Sequence, residues 1–126
     1  MAHILIVDDE AAVRNIIEQI LIPYGHTVLS AGHGVVALKQ LSEIPFDLVI
    51  TDIVMPDMTG IKLIDEIRTR FPEIKILAIS GGGHGYQSET CVAMAREHGA
   101  DSAIMKPILQ DKLIALVDEL LALPRG

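Results

Sequence analysis

The chain has 126 residues, half of them hydrophobic, and its 17 Asp and Glu against 10 Lys and Arg give a formal charge of −7. This length suits a single domain, the single cysteine excludes an internal disulfide, and the acidic balance without a basic cluster argues against nucleic-acid binding. The sequence contains neither an apolar run long enough for a membrane span nor a signal peptide, so a cytoplasmic protein is predicted.

The first half of the chain alternates short apolar runs with amphipathic stretches. A continuous apolar run predicts a strand at 4–7, and an apolar stripe at helical spacing predicts a helix over 13–21, ended by Pro23 and Gly25. A second strand follows at 27–29, then a helix over 35–41 closed by Pro45, then a third strand at 48–50. The strands lack polar alternation, which is typical of strands buried on both faces.

The second half continues the same alternation. It predicts a helix over 61–67, a strand at 76–79, a helix over 91–97, a strand at 103–105 and a last helix over 109–120. The helix at 91–97 has a shallow apolar stripe, and Gly99 is suited to its C-terminal cap.

Five strands and five helices in strict alternation predict a doubly wound α/β fold. Parallel strands need crossover helices, and right-handed crossovers place those helices on both faces of one sheet. In such sheets ligands bind outside the carboxyl ends of the strands. The candidate site residues are therefore those that follow the strands.

Polar residues follow four of the five predicted strands. Asp8 and Asp9 follow the first strand, Asp52 the third, Ser80 the fourth and Lys106 the fifth. If the first and third strands are neighbours, three carboxylates converge in one pocket. Such a cluster needs compensating charge, which Lys106 and a divalent cation can supply. Ligands that are all oxygen atoms favour Mg²⁺.

Four segments of the chain resemble the receiver domains of two-component response regulators. They are 4–10 (ILIVDDE), 31–38 (AGHGVVAL), 47–60 (DLVITDIVMPDMTG) and 99–107 (GADSAIMKP). The resemblance spans essentially the whole chain and is specific because the motifs occur in order on alternating strands and helices. It implies the flavodoxin-like fold of CheY-type receivers, with strand order 2-1-3-4-5.

The resemblance also implies a magnesium site beside a phosphate-accepting aspartate. Asp52 matches the phosphoacceptor, which is also a ligand of Mg²⁺. Asp9 matches the acidic residue that binds the ion directly, and Asp8 matches the one that acts largely through water. The backbone carbonyl of Val54 matches the third protein ligand.

Further residues match those that contact the phosphoryl group. Ser80 matches the hydroxyl residue that meets this group, with the N–H of Gly81 as an additional donor. Lys106 matches the lysine that pairs first with the aspartate and then with the phosphoryl oxygens. Pro107 follows a peptide bond that is usually cis in the family.

The function implied is that of a phosphorylated signalling protein, not an enzyme that turns over a substrate. A sensor histidine kinase or a phosphotransfer protein would supply the phosphoryl group from a phosphohistidine. The domain would then act as a protein-binding switch or as a phosphate shuttle, and homodimerisation stays open. A single receiver domain over 1–126, without an output domain, is expected.

Three alternatives differ in class from this interpretation. Phosphatases with an aspartate nucleophile usually need a second acid two positions later, where this chain has Val54. A flavodoxin-like electron carrier would bind phosphate after the first strand, where Asp8 and Asp9 would repel it. A constitutive scaffold with a receiver fold would not need the complete set of site residues.

The chain departs from the family pattern at two places on the readout side. Receivers commonly carry Tyr or Phe where this chain has Ala103, so the usual aromatic switch is absent and the signal is expected to leave by another route. The region after Ser80 is longer than usual and rich in glycine, and we hypothesise that residues 81–87, with His84 or Tyr86, act as the reporter. A valine at position 54 and a glycine at position 82 further predict slow hydrolysis of the phosphoryl group.

Overall fold

The sheet contains five parallel strands in a computed structural model that describes residues 2–55, 58–81 and 88–124. The strands are β1 (His3–Val7), β2 (Thr27–Ala31), β3 (Leu48–Asp52), β4 (Lys75–Ser80) and β5 (Ser102–Met105). Their spatial order is β2-β1-β3-β4-β5. The predicted fold class, strand positions and strand order are confirmed.

Four helices connect the strands, and a fifth follows β5. They are α1 (Ala11–Leu21), α2 (Gly34–Glu43), α3 (Gly60–Arg70), α4 (Ser88–His98) and α5 (Gln110–Ala122). A short 3-10 helix, Ile22–Tyr24, follows α1 and was not anticipated. Pro23 fits there because the first turn of a helix does not use its N–H groups, and Gly25 ends the turn with a φ of +95°.

Apolar side chains bury both faces of the sheet. On β1, Leu5 and Val7 face one helical layer, whereas Ile4 and Ile6 face the other. The helix residues that cover the first face include Leu41, Leu63, Ile64, Ile67 and Ala95. Those that cover the second face include Ile17, Leu21, Leu113, Val117 and Leu120. The central strands β1, β3 and β4 are covered on both sides, and their apolar runs are therefore continuous, as the sequence indicated. The edge strands β2 and β5 are partly exposed, with Leu29 and Met105 at the surface, so for them the expected burial on both faces was wrong.

Arg68 ties α3 to the two turns at the amino-terminal end of the sheet. Its guanidinium donates to the carbonyls of Pro72 at 2.8 Å and Ile74 at 3.0 Å. It also donates to the carbonyl of Gly99 at 2.7 Å and to the carboxylate of Asp101 at 3.1 Å. One side chain therefore joins the α3–β4 and α4–β5 connections.

Replacing Arg68 by lysine should lower the free energy of unfolding by about 1–3 kcal/mol, because an ammonium cannot satisfy carbonyls on two turns at once. Urea denaturation followed by circular dichroism measures this change. The matched control is Arg70→Lys, since Arg70 is exposed and lies over the ring of Phe71 without bridging two turns. Equal losses in the two variants would contradict this role for Arg68.

Some sequence-based hypotheses concern residues outside the described part of the chain. The glycine-rich stretch at 82–86, with His84 and Tyr86, belongs to this group, as do Pro56 and Asp57. Among the described residues, no helix combines the length and the apolar character that crossing a bilayer requires.

Candidate functional site

Four carboxylates converge at the carboxyl edge of the sheet. Because β1 pairs with β3 in parallel, with Val7 opposite Thr51, the residue that follows β1 lies beside Asp52, the last residue of β3. Asp8, Asp9, Glu10 and Asp52 each offer an oxygen, and these oxygens all lie within 4.8 Å of one another. The convergence expected from the strand order is therefore present, with one acidic residue more than predicted.

The two buried carboxylates each use one oxygen on a backbone N–H group. The N–H of Glu10 donates to Oδ1 of Asp8 at 2.8 Å, and the N–H of Val54 donates to Oδ1 of Asp52 at 3.2 Å. Oδ2 of Asp8 is buried and accepts no hydrogen bond. A buried carboxylate oxygen that accepts no hydrogen bond is costly, and the ion pair of this oxygen with Nζ of Lys106 spans 3.7 Å, so the pocket can still accept further positive charge.

Lys106 supplies positive charge from the neighbouring strand end. Its N–H donates to the carbonyl of Ser80 at 2.9 Å, which holds the residue beside the end of β4. Its Nζ lies 3.4 Å from Oδ2 of Asp52 and 3.2 Å from Oε1 of Glu10. The bond from Lys106 to Pro107 is cis, as the resemblance implies.

Gly81 leaves room for the stem of Lys106. A Cβ atom at Gly81 would lie 3.0 Å from Cδ of Lys106, closer than ordinary van der Waals contact. Glycine at this position thus lets the lysine pass over the end of β4 toward the carboxylates. Ser80, which precedes it, is buried at the end of β4.

Burial and charge shift two ionisable groups of the site. Burial raises the pKa of Asp8 to about 6; the charge of Asp52 adds to this rise, and the N–H of Glu10 opposes it. Burial alone would lower the pKa of Lys106, but the charges of Asp52 and Asp8 and the contact with Glu10 hold that pKa above its ordinary value. The lysine is therefore charged at neutral pH, whereas Asp8 is ionised at a cost.

Gly60 allows α3 to begin directly against the end of β3. A Cβ atom there would lie 1.9 Å from the carbonyl oxygen of Asp52 and 2.6 Å from Cα of Ile53. The N–H of Gly60 donates to the carbonyl of Ile53 at 2.8 Å, so the start of the helix and the end of the strand are joined. This contact fixes the backbone that carries Asp52.

Sequence comparison identifies the domain to which this pocket belongs. The family model for the response regulator receiver domain matches residues 4–118. The chain belongs to this family. It is a receiver domain of two-component signalling, as the motifs indicated.

Several relatives of this receiver domain are longer proteins. It is 40% identical over 119 residues to an NtrX-like response regulator from Rickettsia bellii, covering 93% of this chain and 24% of that protein. It is 36% identical over 119 residues to the transcriptional regulatory protein ZraR of Klebsiella oxytoca, covering 94% of this chain and 26% of that protein. The chain thus spans about a quarter of the length of the curated relatives it matches.

Solved receiver structures share the whole fold. The receiver domain of NtrX from Brucella abortus aligns with a TM-score of 0.89 and 32% identity, covering 96% of this chain and 99% of that one. A CheY-like receiver domain protein from Methanospirillum hungatei aligns with a TM-score of 0.87 and 31% identity, covering 96% and 94% of the two chains.

The pocket of this receiver has the properties of a Mg²⁺ site. Its ligand atoms are carboxylate oxygens, which Mg²⁺ prefers. Four carboxylates face one ammonium, so the five side chains carry a formal charge of −3. In the described part of the chain this is the one group of three or more acidic, His or Cys side chains close enough to share an ion. The residues present therefore fit the ion that the family implies.

Two site residues were not assigned a role from the sequence. Glu10 contacts Lys106, and the available signal was that it is the third consecutive acidic residue after β1. Arg14 donates from Nη1 to the carbonyl of Asp8 at 2.6 Å, one turn along α1. Its position in the first part of a helix, with the polar residues opposite the apolar stripe, gave no sign of this contact.

Proposed function

We propose that this receiver accepts a phosphoryl group on Asp52 from a phosphohistidine of a histidine kinase or a phosphotransfer protein. The observation that carries the proposal is the contact between a buried carboxylate, Asp52, and the ammonium of Lys106 at 3.4 Å. One oxygen of Asp52 is held by the backbone N–H of Val54, and the other faces the lysine. A nucleophile that is held and oriented in this way suits an in-line transfer.

The phosphoryl group would be transferred to Asp52 in one step and hydrolysed from it in a second. Both steps conserve atoms and charge. A carboxylate oxygen of Asp52 attacks the phosphorus, the phosphorus–nitrogen bond of the phosphohistidine breaks, and the imidazole nitrogen keeps the electron pair and takes a proton from solvent. Later a water oxygen attacks the phosphorus and the bond to Asp52 breaks. The products are inorganic phosphate and the free carboxylate, so the phosphorylated state is temporary.

Three groups of the chain would stabilise the transferred phosphoryl group. Lys106 would exchange its carboxylate partner for phosphoryl oxygens, forming a charge-assisted hydrogen bond. The hydroxyl of Ser80 and the N–H of Gly81 would donate to the other oxygens, since both residues lie at the end of β4 beside Lys106. Donors that are already oriented toward the developing charge lower the barrier most.

Mg²⁺ would be held by the carboxylates of Asp9 and Asp52 and the carbonyl of Val54, with Asp8 acting through water. When bound, the ion supplies positive charge that neutralises phosphoryl oxygens during transfer. The buried oxygen of Asp8 and the excess of carboxylates over ammonium groups support this assignment.

The side chains around Asp52 favour signalling over turnover of a substrate. The second residue after Asp52 is Val54, which contributes a backbone N–H and no acidic side chain. A phosphatase with an aspartate nucleophile would use an acid there to protonate its leaving group. We infer that the domain carries phosphate, either to switch a protein contact or to pass the group onward.

Intact mass spectrometry tests the site directly. Wild-type protein incubated with Mg²⁺ and phosphoramidate should gain one phosphoryl group, and Asp52→Asn should gain none. Asp47→Asn is the matched control, because Asp47 precedes the other end of β3 and accepts the N–H of His3. Phosphorylation of Asp52→Asn, or none of the wild type, would refute the proposal.

A further inference from the structure

Lys106 has three carboxylate neighbours, and the nearest of them is the exposed one. Its Nζ lies 3.2 Å from Glu10, 3.4 Å from Asp52 and 3.7 Å from Asp8. The side chain of Glu10 is 61% exposed, against 6% for Asp52 and 0% for Asp8. The ammonium thus lies between an inner pair of carboxylates and an outer carboxylate on the solvent side.

While Nζ of Lys106 contacts the outer carboxylate, that of Glu10, one oxygen of the inner carboxylate of Asp8 accepts no hydrogen bond. Nζ donates hydrogen bonds to Glu10 and to Asp52, whereas its separation of 3.7 Å from Asp8 is beyond hydrogen-bond distance. The Asp8 oxygen that faces it is the buried oxygen without a hydrogen-bond partner. The ammonium therefore lies about half an ångström too far from this oxygen to form a hydrogen bond with it, on the side of Glu10.

The turn after β1 places Glu10 for this contact. Glu10 is the N-cap residue of α1, but its side chain makes no capping hydrogen bond. Its backbone N–H is fixed by Oδ1 of Asp8, so the carboxylate extends from a fixed point toward Lys106. An exposed ion pair of this kind adds little stability. The effect of Glu10 is therefore on where the ammonium lies.

We propose that Glu10 is a positioning residue that holds Lys106 at the solvent edge of the pocket and competes with the phosphoryl group for it. This inference rests on the proposed function at Asp52. Phosphoryl oxygens that arrive from solvent would take the place of the Glu10 carboxylate as the outer partner of Lys106. Until that exchange, Glu10 occupies the lysine and adds negative charge at the entrance.

Two measurements on Glu10→Gln test the inference. In the unphosphorylated protein, the side-chain ¹⁵N and ¹³Cε resonances of Lys106 should shift, because the ammonium moves toward Asp8. With phosphoramidate and Mg²⁺, phosphoryl uptake at Asp52 should become roughly three- to tenfold faster, the effect of one unit charge removed at close range.

Glu18→Gln is the matched control, since it removes the same charge from the same helix. It lies eight residues further along the chain, about 12 Å along α1. This variant should leave both the Lys106 resonances and the rate of uptake at their wild-type values. Circular dichroism should show the same melting curve for both variants, within about 2 °C.

The possible outcomes distinguish a failure of the inference about Glu10 from a failure of the proposed phosphorylation of Asp52. Unchanged Lys106 resonances in Glu10→Gln would overturn the inference that Glu10 positions Lys106. If those resonances are unchanged and calorimetry shows a weaker Mg²⁺ affinity, Glu10 is a metal ligand instead. An uptake rate in Glu10→Gln equal to that of the wild type would also contradict the proposed competition between Glu10 and the phosphoryl group for Lys106. If wild-type protein takes up no phosphoryl group, the proposed function fails, and the resonances still decide whether Glu10 positions Lys106.

Discussion

Gly60→Ala should lower the free energy of unfolding by about 4 kcal/mol or more, a loss beyond the usual range for one methyl group. The added Cβ would lie 1.9 Å from the carbonyl oxygen of Asp52 and 2.8 Å from its carbonyl carbon. These are backbone atoms of a central strand, so no side chain can rotate away to relieve the overlap. Urea denaturation followed by circular dichroism measures the loss.

The same substitution at Gly32 is the matched control for this prediction. There the nearest atom to an added Cβ is the terminal nitrogen of Arg14 at 3.6 Å, an ordinary contact with a flexible side chain. Gly32→Ala should therefore stay within about 1 kcal/mol of the wild type. A Gly60→Ala midpoint equal to that of Gly32→Ala would show that α3 can move away from β3 at little cost.

The Gly60 contact also explains a glycine within the motif that carried the family resemblance. The sequence placed Gly60 eight residues after Asp52, at the start of a predicted helix. That spacing did not reveal that the helix start packs on the backbone of Asp52 itself. Such a contact depends on the path of the connecting chain, which local periodicity does not encode.

The strands and the edge of the sheet were predictable because their physical cause is local. Continuous apolar runs arise wherever a strand is covered on both faces, and residues that follow parallel strands share one edge. Asp8, Asp52 and Lys106 follow such runs, so their meeting point could be deduced once β1 and β3 were taken as neighbours. The structure bears out that arrangement.

The contacts of long side chains were not predictable in the same way. Glu10 and Lys106 are 96 positions apart, and Arg68 and Asp101 are 33 apart. Whether such pairs meet depends on rotamers and on the exact turn after each strand. A run of three acidic residues signalled charge at this edge, but it did not show which carboxylate would reach the lysine.

Ala103 bears on how the phosphorylation signal is read out, which is a separate question from where the phosphorylation site lies. On β5 it lies opposite Ala78 of β4, and it packs half-buried against the core layer that includes Cys91 and Ala95 of α4. An alanine has no rotamer that could move between two positions. The route by which phosphorylation changes the surface therefore stays a prediction. Because neither alanine of this pair can change rotamer, α4 is the neighbouring element to test for such a change.

Asp8→Asn is the second substitution with a large expected effect. It should raise the free energy of unfolding, whereas Gly60→Ala should lower it. Asp8 is buried in the folded protein, where its pKa is about 6, against 3.8 for an ordinary aspartate. The folded state thus binds this proton more tightly than the unfolded state does. Because of this difference, the contribution of Asp8 to stability is lost progressively as pH rises from about 4 to about 6, by about 3 kcal/mol in total.

Asparagine keeps the shape of the carboxyl group and removes the charge that burial penalises. Its Oδ1 can still accept the N–H of Glu10, although it forgoes the attraction of Lys106. At pH 7.5 without Mg²⁺, Asp8→Asn should therefore raise the free energy of unfolding by about 1–3 kcal/mol. Near pH 4 the two proteins should be nearly equal, because Asp8 is then largely protonated in the folded wild type.

Denaturant melts at several pH values, with EDTA or with Mg²⁺, measure the difference between the two proteins. Mg²⁺ should stabilise the wild type by binding the folded state, and it should stabilise Asp8→Asn less. The exposed residue Glu119 provides the control: Glu119→Gln removes one negative charge from α5 and should show neither the gain nor its pH dependence. A destabilised Asp8→Asn at pH 7.5 would mean that attraction to Lys106 outweighs burial, and that the pocket is held together by the charges that also prepare it for phosphate.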